Sequence, residues 1–202
     1  MQLSEEELSQ FIAVPIDPDK KRRQQIDDMV VVEANDLIDK ARHQLTAREL
    51  KIMDFITSQI QPEDTKFHSI SLSIAELTDA INLAKGGRTY KQVAASLFNL
   101  VDKPVTILST GANGKRQLTR TNWLSEATVV EDGKITVHVS ASLSKYLLNL
   151  NGHYTSHLFR DTAMLNSRYA IILYVSKNQQ LVTLLKNRDF ACFEQLNLFN
   201  NF

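Results

Sequence analysis

Between Lys85 and Arg120 the chain places Lys85, Arg88, Lys91, Lys103, Lys115, Arg116 and Arg120 against one acid, Asp102, a local charge of +6. Phosphate capture is the chemistry such a run performs, because ammonium and guanidinium groups displace counterions from a polyanion and donate to its oxygens. The whole chain hides this run, with 23 Lys and Arg against 23 Asp and Glu. Other chemistries find little support. Gly111-Ala112-Asn113-Gly114-Lys115 follows a strand-like run. A nucleotide-binding loop, however, needs two more residues between its glycines and a Ser or Thr after the lysine, where Arg116 stands. His153 and His157 are four apart, yet Gly152 argues against a helix and no Cys or close carboxylate completes a metal set. An acyl-transfer triad built on His43, His68 or His138 has no support in the sequence. The expectation is a binding protein and not an enzyme, with no cofactor and no metal.

The elements that must carry these cations run from Ser73 to Val139 and read as two short helices followed by β-hairpins. Ser73-Ile74-Ala75-Glu76 is a capping box, in which hydroxyl and carboxylate each satisfy a free N–H, and Ile74, Leu77 and Ile81 share one face. After Ala84-Lys85-Gly86-Gly87, Thr89-Tyr90-Lys91-Gln92 offers a second capping box, followed by Val93, Ala94, Leu97, Phe98 and Val101 at helical spacing. Pro104 ends that helix near Lys103. The period then shortens to two: Val105 to Leu108 with a turn at Ser109 to Gly114, and Trp123 to Val130 turning through Glu131-Asp132-Gly133 into Ile135, Val137 and Val139. This order predicts an α+β fold, a winged helix with a helix-turn-helix, a β-hairpin wing and additional flanking helices. DNA-binding residues are expected at Arg88, Thr89, Tyr90 and Lys91 on the second helix and at Lys115, Arg116 and Arg120 on a hairpin. With roughly five phosphates neutralised, log affinity should fall against log salt with a slope of about −4.5.

Residues 1–28 read as a flexible arm, broken by Pro15 and Pro18 and carrying the basic run Lys20 to Arg23. The fold is expected to begin at Met29, with apolar Met29 to Val32 leading into a short helix holding Leu37, Ile38 and Ala41. Thr46-Ala47-Arg48-Glu49 is a third capping box for a helix burying Leu50, Met53, Phe55, Ile56 and Ile60, and an alternating stretch from Phe67 predicts a strand that pairs with the wing. Further helices are expected over Leu143 to Leu150, closed by Asn151-Gly152, and over Met164 to Ser176 with Leu165, Tyr169, Ile172 and Leu173 inward. Trp123, Tyr146, Tyr154 and Tyr169 are assigned to packing. The domain thus spans 29–176, and 177–202 is a divergent appendage in which Leu181, Leu184 and Leu185 can share a helical face.

At 202 residues and 43% apolar, the chain is long enough for one domain with arms. No apolar run approaches the roughly 18 to 20 residues that span a bilayer, and the single cysteine, Cys192, excludes an internal disulfide. A cytoplasmic location without membrane contact is expected.

From Val31 to Tyr174 the chain resembles plasmid replication initiators that bind iterons. The resemblance rests on Glu33-Ala34-Asn35-Asp36-Leu37-Ile38, on Leu45-Thr46-Ala47-Arg48-Glu49-Leu50-Lys51-Ile52 with Ser58-Gln59-Ile60, and on the strand at Phe67. It continues through Trp123, then Gly133-Lys134-Ile135-Thr136-Val137, and Ser167-Arg168-Tyr169 leading to Leu173-Tyr174. It implies tandem winged helices, the first for dimerisation and DNA-backbone contacts and the second for base reading. It also implies monomers that open origins and recruit host replication proteins, and dimers that repress their own gene. The pattern stops after Tyr174, and the roughly 28 residues beyond are fewer than the ~50 of a small domain. The expected partners are double-stranded origin DNA, a second copy of the chain and host replication proteins. Two alternatives stand beside this reading: a dimeric transcriptional repressor built on one winged helix, and a DNA-independent dimerisation module that modulates a full-length initiator.

Overall fold

A computed structural model describes residues 24–61, 64–110, 113–150 and 154–187. The expected basic run Lys20 to Arg23, the loop glycine Gly111 and His153 lie outside them, as do the side chains of Leu181, Leu184 and Leu185. In chain order the elements are β1 (Val30–Ala34), α1 (Asn35–Lys40), β2 (Ala41–Arg42), α2 (Ala47–Ser58), β3 (Ile70–Ser73), α3 (Ile74–Ala80), α4 (Gly87–Asp102), β4 (Pro104–Thr110) and β5 (Arg116–Asn122). They continue with β6 (Leu124–Val129), β7 (Lys134–Val139), a 3₁₀ turn (Ala141–Leu143), α5 (Ser144–Leu147), β8 (Tyr154–Leu158), α6 (Phe159–Met164) and α7 (Arg168–Asn187).

Two of the three capping boxes form. Thr46 Oγ1 accepts from the Glu49 N–H at 3.3 Å while Glu49 Oε2 accepts from the Thr46 N–H at 2.7 Å, and Ser73 and Glu76 repeat the exchange at 3.1 and 2.8 Å. The third does not: α4 starts two residues before Thr89, with Gly86 at its N-cap and no side-chain cap. Its C-terminus falls where Pro104 requires, with Lys103 already extended.

Helices α2, α3 and α4 and the sheet β3-β7-β6 make the winged helix. The strand before α3 pairs with the wing as expected, Ile70 opposite Val137 and Leu72 opposite Ile135. At the wing turn Gly133 has φ of +84°, and its carbonyl accepts from the Ile74 N–H at 2.8 Å, which ties the wing to the start of α3. The hairpin β4–β5 is separate from the wing, because it pairs with β2 in a second sheet, ordered β2-β4-β5. A third sheet, β1-β8, joins the two ends of the domain, Val31 opposite His157 and Glu33 opposite Thr155.

One core links the layers: Ile52 and Ile56 of α2, Leu77 of α3, Val93, Leu97 and Leu100 of α4, and Ile107, Ile135 and Phe159. Several sequence expectations shift. Leu100, not Phe98, completes the inner face of α4; Phe98 is 47% exposed. The helix expected to end at Leu150 ends at Leu147, and Asn149 takes the left-handed conformation there. Met164 closes the short helix α6 and does not open the next one. Starting α7 at Arg168 turns Ile171 inward and leaves Tyr169 and Leu173 77% and 58% exposed, so Tyr169 is not a packing residue. Ile26 and Met29 pack against the core, and α7 runs through residue 176, with Gln179 buried and donating to Asp39 Oδ2 at 2.6 Å.

Candidate nucleic-acid interface

The structure divides the expected DNA-binding residues between two places. Arg88 and Lys91 are exposed at the N-terminal end of α4, whereas Thr89 is half-buried and Tyr90 packs against the core. Lys115 and Arg116 stand exposed at the tip of β4–β5, and Arg120 lies nearer its base, opposite Thr106. At a rise of about 1.5 Å per residue, α4 holds Arg88 roughly 22 Å from Lys103, where the hairpin begins.

Two cations of the basic run lie beside carboxylates. Lys85 Nζ is 3.3 Å from Asp79 Oδ1. Lys103 Nζ donates to both oxygens of Glu49, at 2.8 and 2.7 Å, and Asn99 Nδ2 donates to Oε1 at 3.1 Å. Burial alone would raise the Glu49 carboxyl, which is 1% exposed, but the bonds from Lys103, Thr46 and Asn99 outweigh it and hold the group below its usual range. Lys103 is thus the counter-charge for a buried acid and fastens the end of α4 to α2.

The winged helix itself offers phosphate a mixed surface. The wing tip carries Glu131 and Asp132 beside Lys134, and the outward side of α4 carries Ala95, Phe98 and Asp102 after Lys91. The clearest cationic surface lies on the second sheet. Arg42 of β2 is opposite Thr106 of β4, and Thr106 is opposite Arg120 of β5, so the three side chains form one row across one face. Arg168, at the first residue of α7, reaches the same groove, and Nη2 donates to the His43 carbonyl at 3.0 Å. Its Nε–H is buried without a partner among the described residues. Lined by Arg42, His43, Gln44, Lys103, Pro104, Thr106, Arg120 and Arg168, the groove has a volume of about 840 Å³ and no carboxylate on its walls. Among the described residues Arg42, Arg120 and Arg168 form no carboxylate pair. Burial, and then the charge of Arg168, lower the His43 pKa, so its imidazole is neutral and Nδ1 accepts from the Leu45 N–H at 3.5 Å. Arg42 and Arg168 are absent from the expected site. They lie outside the basic run, and only the pairing of β2 with β4 and the docking of α7 bring them to Arg120.

Among the described residues, no group of His, Cys, Asp and Glu could hold a metal ion, and no helix is long and apolar enough to cross a membrane. His157, considered above as a metal ligand, is a buried strand residue next to Asp54.

The fold is that of a winged-helix domain enlarged by a hairpin and by helices at both ends. Residues 30–176 match the family described as Initiator Replication protein, WH1, and the chain belongs to that family of replication initiators. Among solved structures it is similar to the WH1 domain of MSBI1.176, a replication protein isolated from a multiple sclerosis patient. Identity is 9%, the match covers 61% of this chain and 86% of that one, and the TM-score is 0.38. A comparison with curated proteins finds no match.

The Glu49–Lys103 pair yields a stability prediction. Lys103→Met leaves a buried carboxylate uncompensated and should cost roughly 2–4 kcal/mol, somewhat less than for a fully buried pair because the Lys103 side chain keeps 32% exposure. Because the Glu49 pKa is lowered in the fold, its contribution is present above the unfolded value of 4.5 and is lost as pH falls through the lower folded value. Urea unfolding of both proteins at neutral pH and in acid checks this: the gap between them should narrow in acid.

Proposed function

We propose that this domain docks a plasmid replication initiator onto the sugar–phosphate backbone of origin DNA through the Arg42–Arg120–Arg168 groove, with Lys115 and Arg116 reaching a neighbouring phosphate, and that it performs no catalysis. The observation that carries this reading is the convergence of three arginines from β2, β5 and α7 on a wall free of acid, while Lys85 and Lys103 each lie beside a carboxylate. Guanidinium groups suit this role because each donates in a planar fork to phosphate oxygens. Backbone docking positions a protein on DNA without reading sequence. Arg88 and Lys91, a helix length away, belong to a second contact only if the duplex runs along α4. Five neutralised phosphates correspond to a log–log salt slope of about −4.5, and each of Arg42→Ala and Arg168→Ala should flatten it by about 0.9. Fluorescence anisotropy with a short duplex at several salt concentrations measures this. A wild-type slope near zero, or unchanged slopes in both variants, contradicts the groove.

Self-association is the second part of the reading, and a separate observation favours it. Strand β5 is the edge of its sheet, and Leu118, 72% exposed, stands directly across from Leu108, 43% exposed. An unpaired edge with an apolar cross-strand pair is a surface suited to a second copy of the same strand. Sedimentation at micromolar concentration should therefore show a species of twice 22.9 kDa. Leu118→Lys should shift it to the monomer, and a monomeric wild type would contradict the pairing.

A further inference from the structure

Beneath α7, three titratable groups from three elements meet without a full set of partners. Glu33 of β1 and His157 of β8 lie on the same face of the β1–β8 ribbon and look toward Asp54 of α2. Asp54 Oδ2 and His157 Nε2 are 3.9 Å apart, beyond a hydrogen bond, and both atoms are buried with no other partner among the described residues. Glu33 and Asp54 line a cavity of about 70 Å³ that α7 closes with Ile171, Ile172 and Val175. The helix also bears on the cluster directly. The Tyr174 ring stands edge-on to the His157 ring at 5.9 Å, and Tyr174 Oη donates to Asp161 Oδ2 at 2.6 Å, with Arg160 3.7 Å from the other oxygen of Asp161. Lys51, one turn before Asp54 on α2, is also buried; desolvation lowers its pKa, and no charge of this cluster is among the causes. Two carboxylates, Glu33 and Asp54, thus meet one imidazole beneath α7, and a third, the 40% exposed Asp161, adds its charge.

We propose that the Glu33–Asp54–His157 cluster is a proton-controlled latch on α7. With its protons in place it holds the helix over the cavity, and their loss loosens the helix and with it the position of Arg168. Electrostatics agrees in direction. Desolvation, then repulsion by Asp54, raises the Glu33 carboxyl to about 7; for His157, desolvation opposes the charged form, but Asp54, Glu33 and Asp161 more than offset it and raise its pKa. Both groups hold protons more tightly folded than unfolded. Their contribution is complete below the unfolded values, 4.5 and 6.5, and is lost as pH rises through about 7 and through the raised imidazole value. The latch therefore closes on the acid side of neutrality and opens on the alkaline side. Its consequence for DNA rests on the groove reading above; the latch itself does not.

Amide hydrogen exchange of the full chain, divided by intrinsic rates, tests it at about pH 5.5 and about pH 8. The protection of α7 relative to α2 should fall by about five-fold or more across that interval, and Glu33→Gln should abolish most of the fall. Equal protection of α7 at both pH values in the wild type overturns the latch, as does an undiminished fall in Glu33→Gln. If that variant does not fold, the imidazole titration of His157 in the wild type decides by NMR: a midpoint above 6.5 supports the latch and one at or below it refutes it. Duplex affinity at the two pH values separates the proposals, since an α7 that loosens without altering affinity keeps the latch and removes Arg168 from the DNA site.

Discussion

Helix α2 is buried without interruption from Glu49 to Thr57, and three of those residues are charged. A helix enclosed on all sides must have its charges answered by its neighbours, because an unpaired buried ion costs several kcal/mol. The answers determine much of the architecture. Glu49 draws Lys103 inward and so fastens to α2 the end of α4 that Pro104 sets. Asp54 lies against His157 of β8, whose ring in turn meets Tyr174 of α7. Lys51 shows no bonded partner among the described residues, and desolvation lowers its pKa.

The position of the cationic groove follows from the first of these answers. With Lys103 committed to Glu49, the base of β4 is set beside β2, and the row Arg42–Thr106–Arg120 forms on the outward face. Helix α7 then brings Arg168 to the same wall, held by the His43 carbonyl. The His43 ring packs edge-on to Trp123 at 5.4 Å, so one residue joins the groove to the core. The wing is differently equipped, since its tip is the acidic turn Glu131-Asp132-Gly133 needed for tight reversal and not for phosphate.

Local signals were legible and long-range ones were not. The capping boxes at Thr46 and Ser73, the stop at Pro104 and the Asp132-Gly133 turn each depend on residues within a few positions, and each forms as read. Thr89 misled because a glycine pair had already started the helix, at Gly87, before the threonine could cap it. The strand β8 was missed because its partner β1 lies at the other end of the domain, and its alternation is too short to stand out. Charge is local in the same way: a run of cations shows where basic residues are, but not that Asp79 and Glu49 lie beside two of them. Nor does it show that Arg168 comes to bond a carbonyl 125 residues away.

The central claim is that phosphate meets this domain at the second sheet and not along the outward side of α4. NMR of the arginine Nε–H groups during titration with a blunt duplex at low salt tests it most directly. The account predicts that the Arg42, Arg120 and Arg168 signals move together, reverse when salt is raised, and leave Arg88 almost unmoved. Shifts confined to Arg88, with the three groove arginines unchanged, would contradict it.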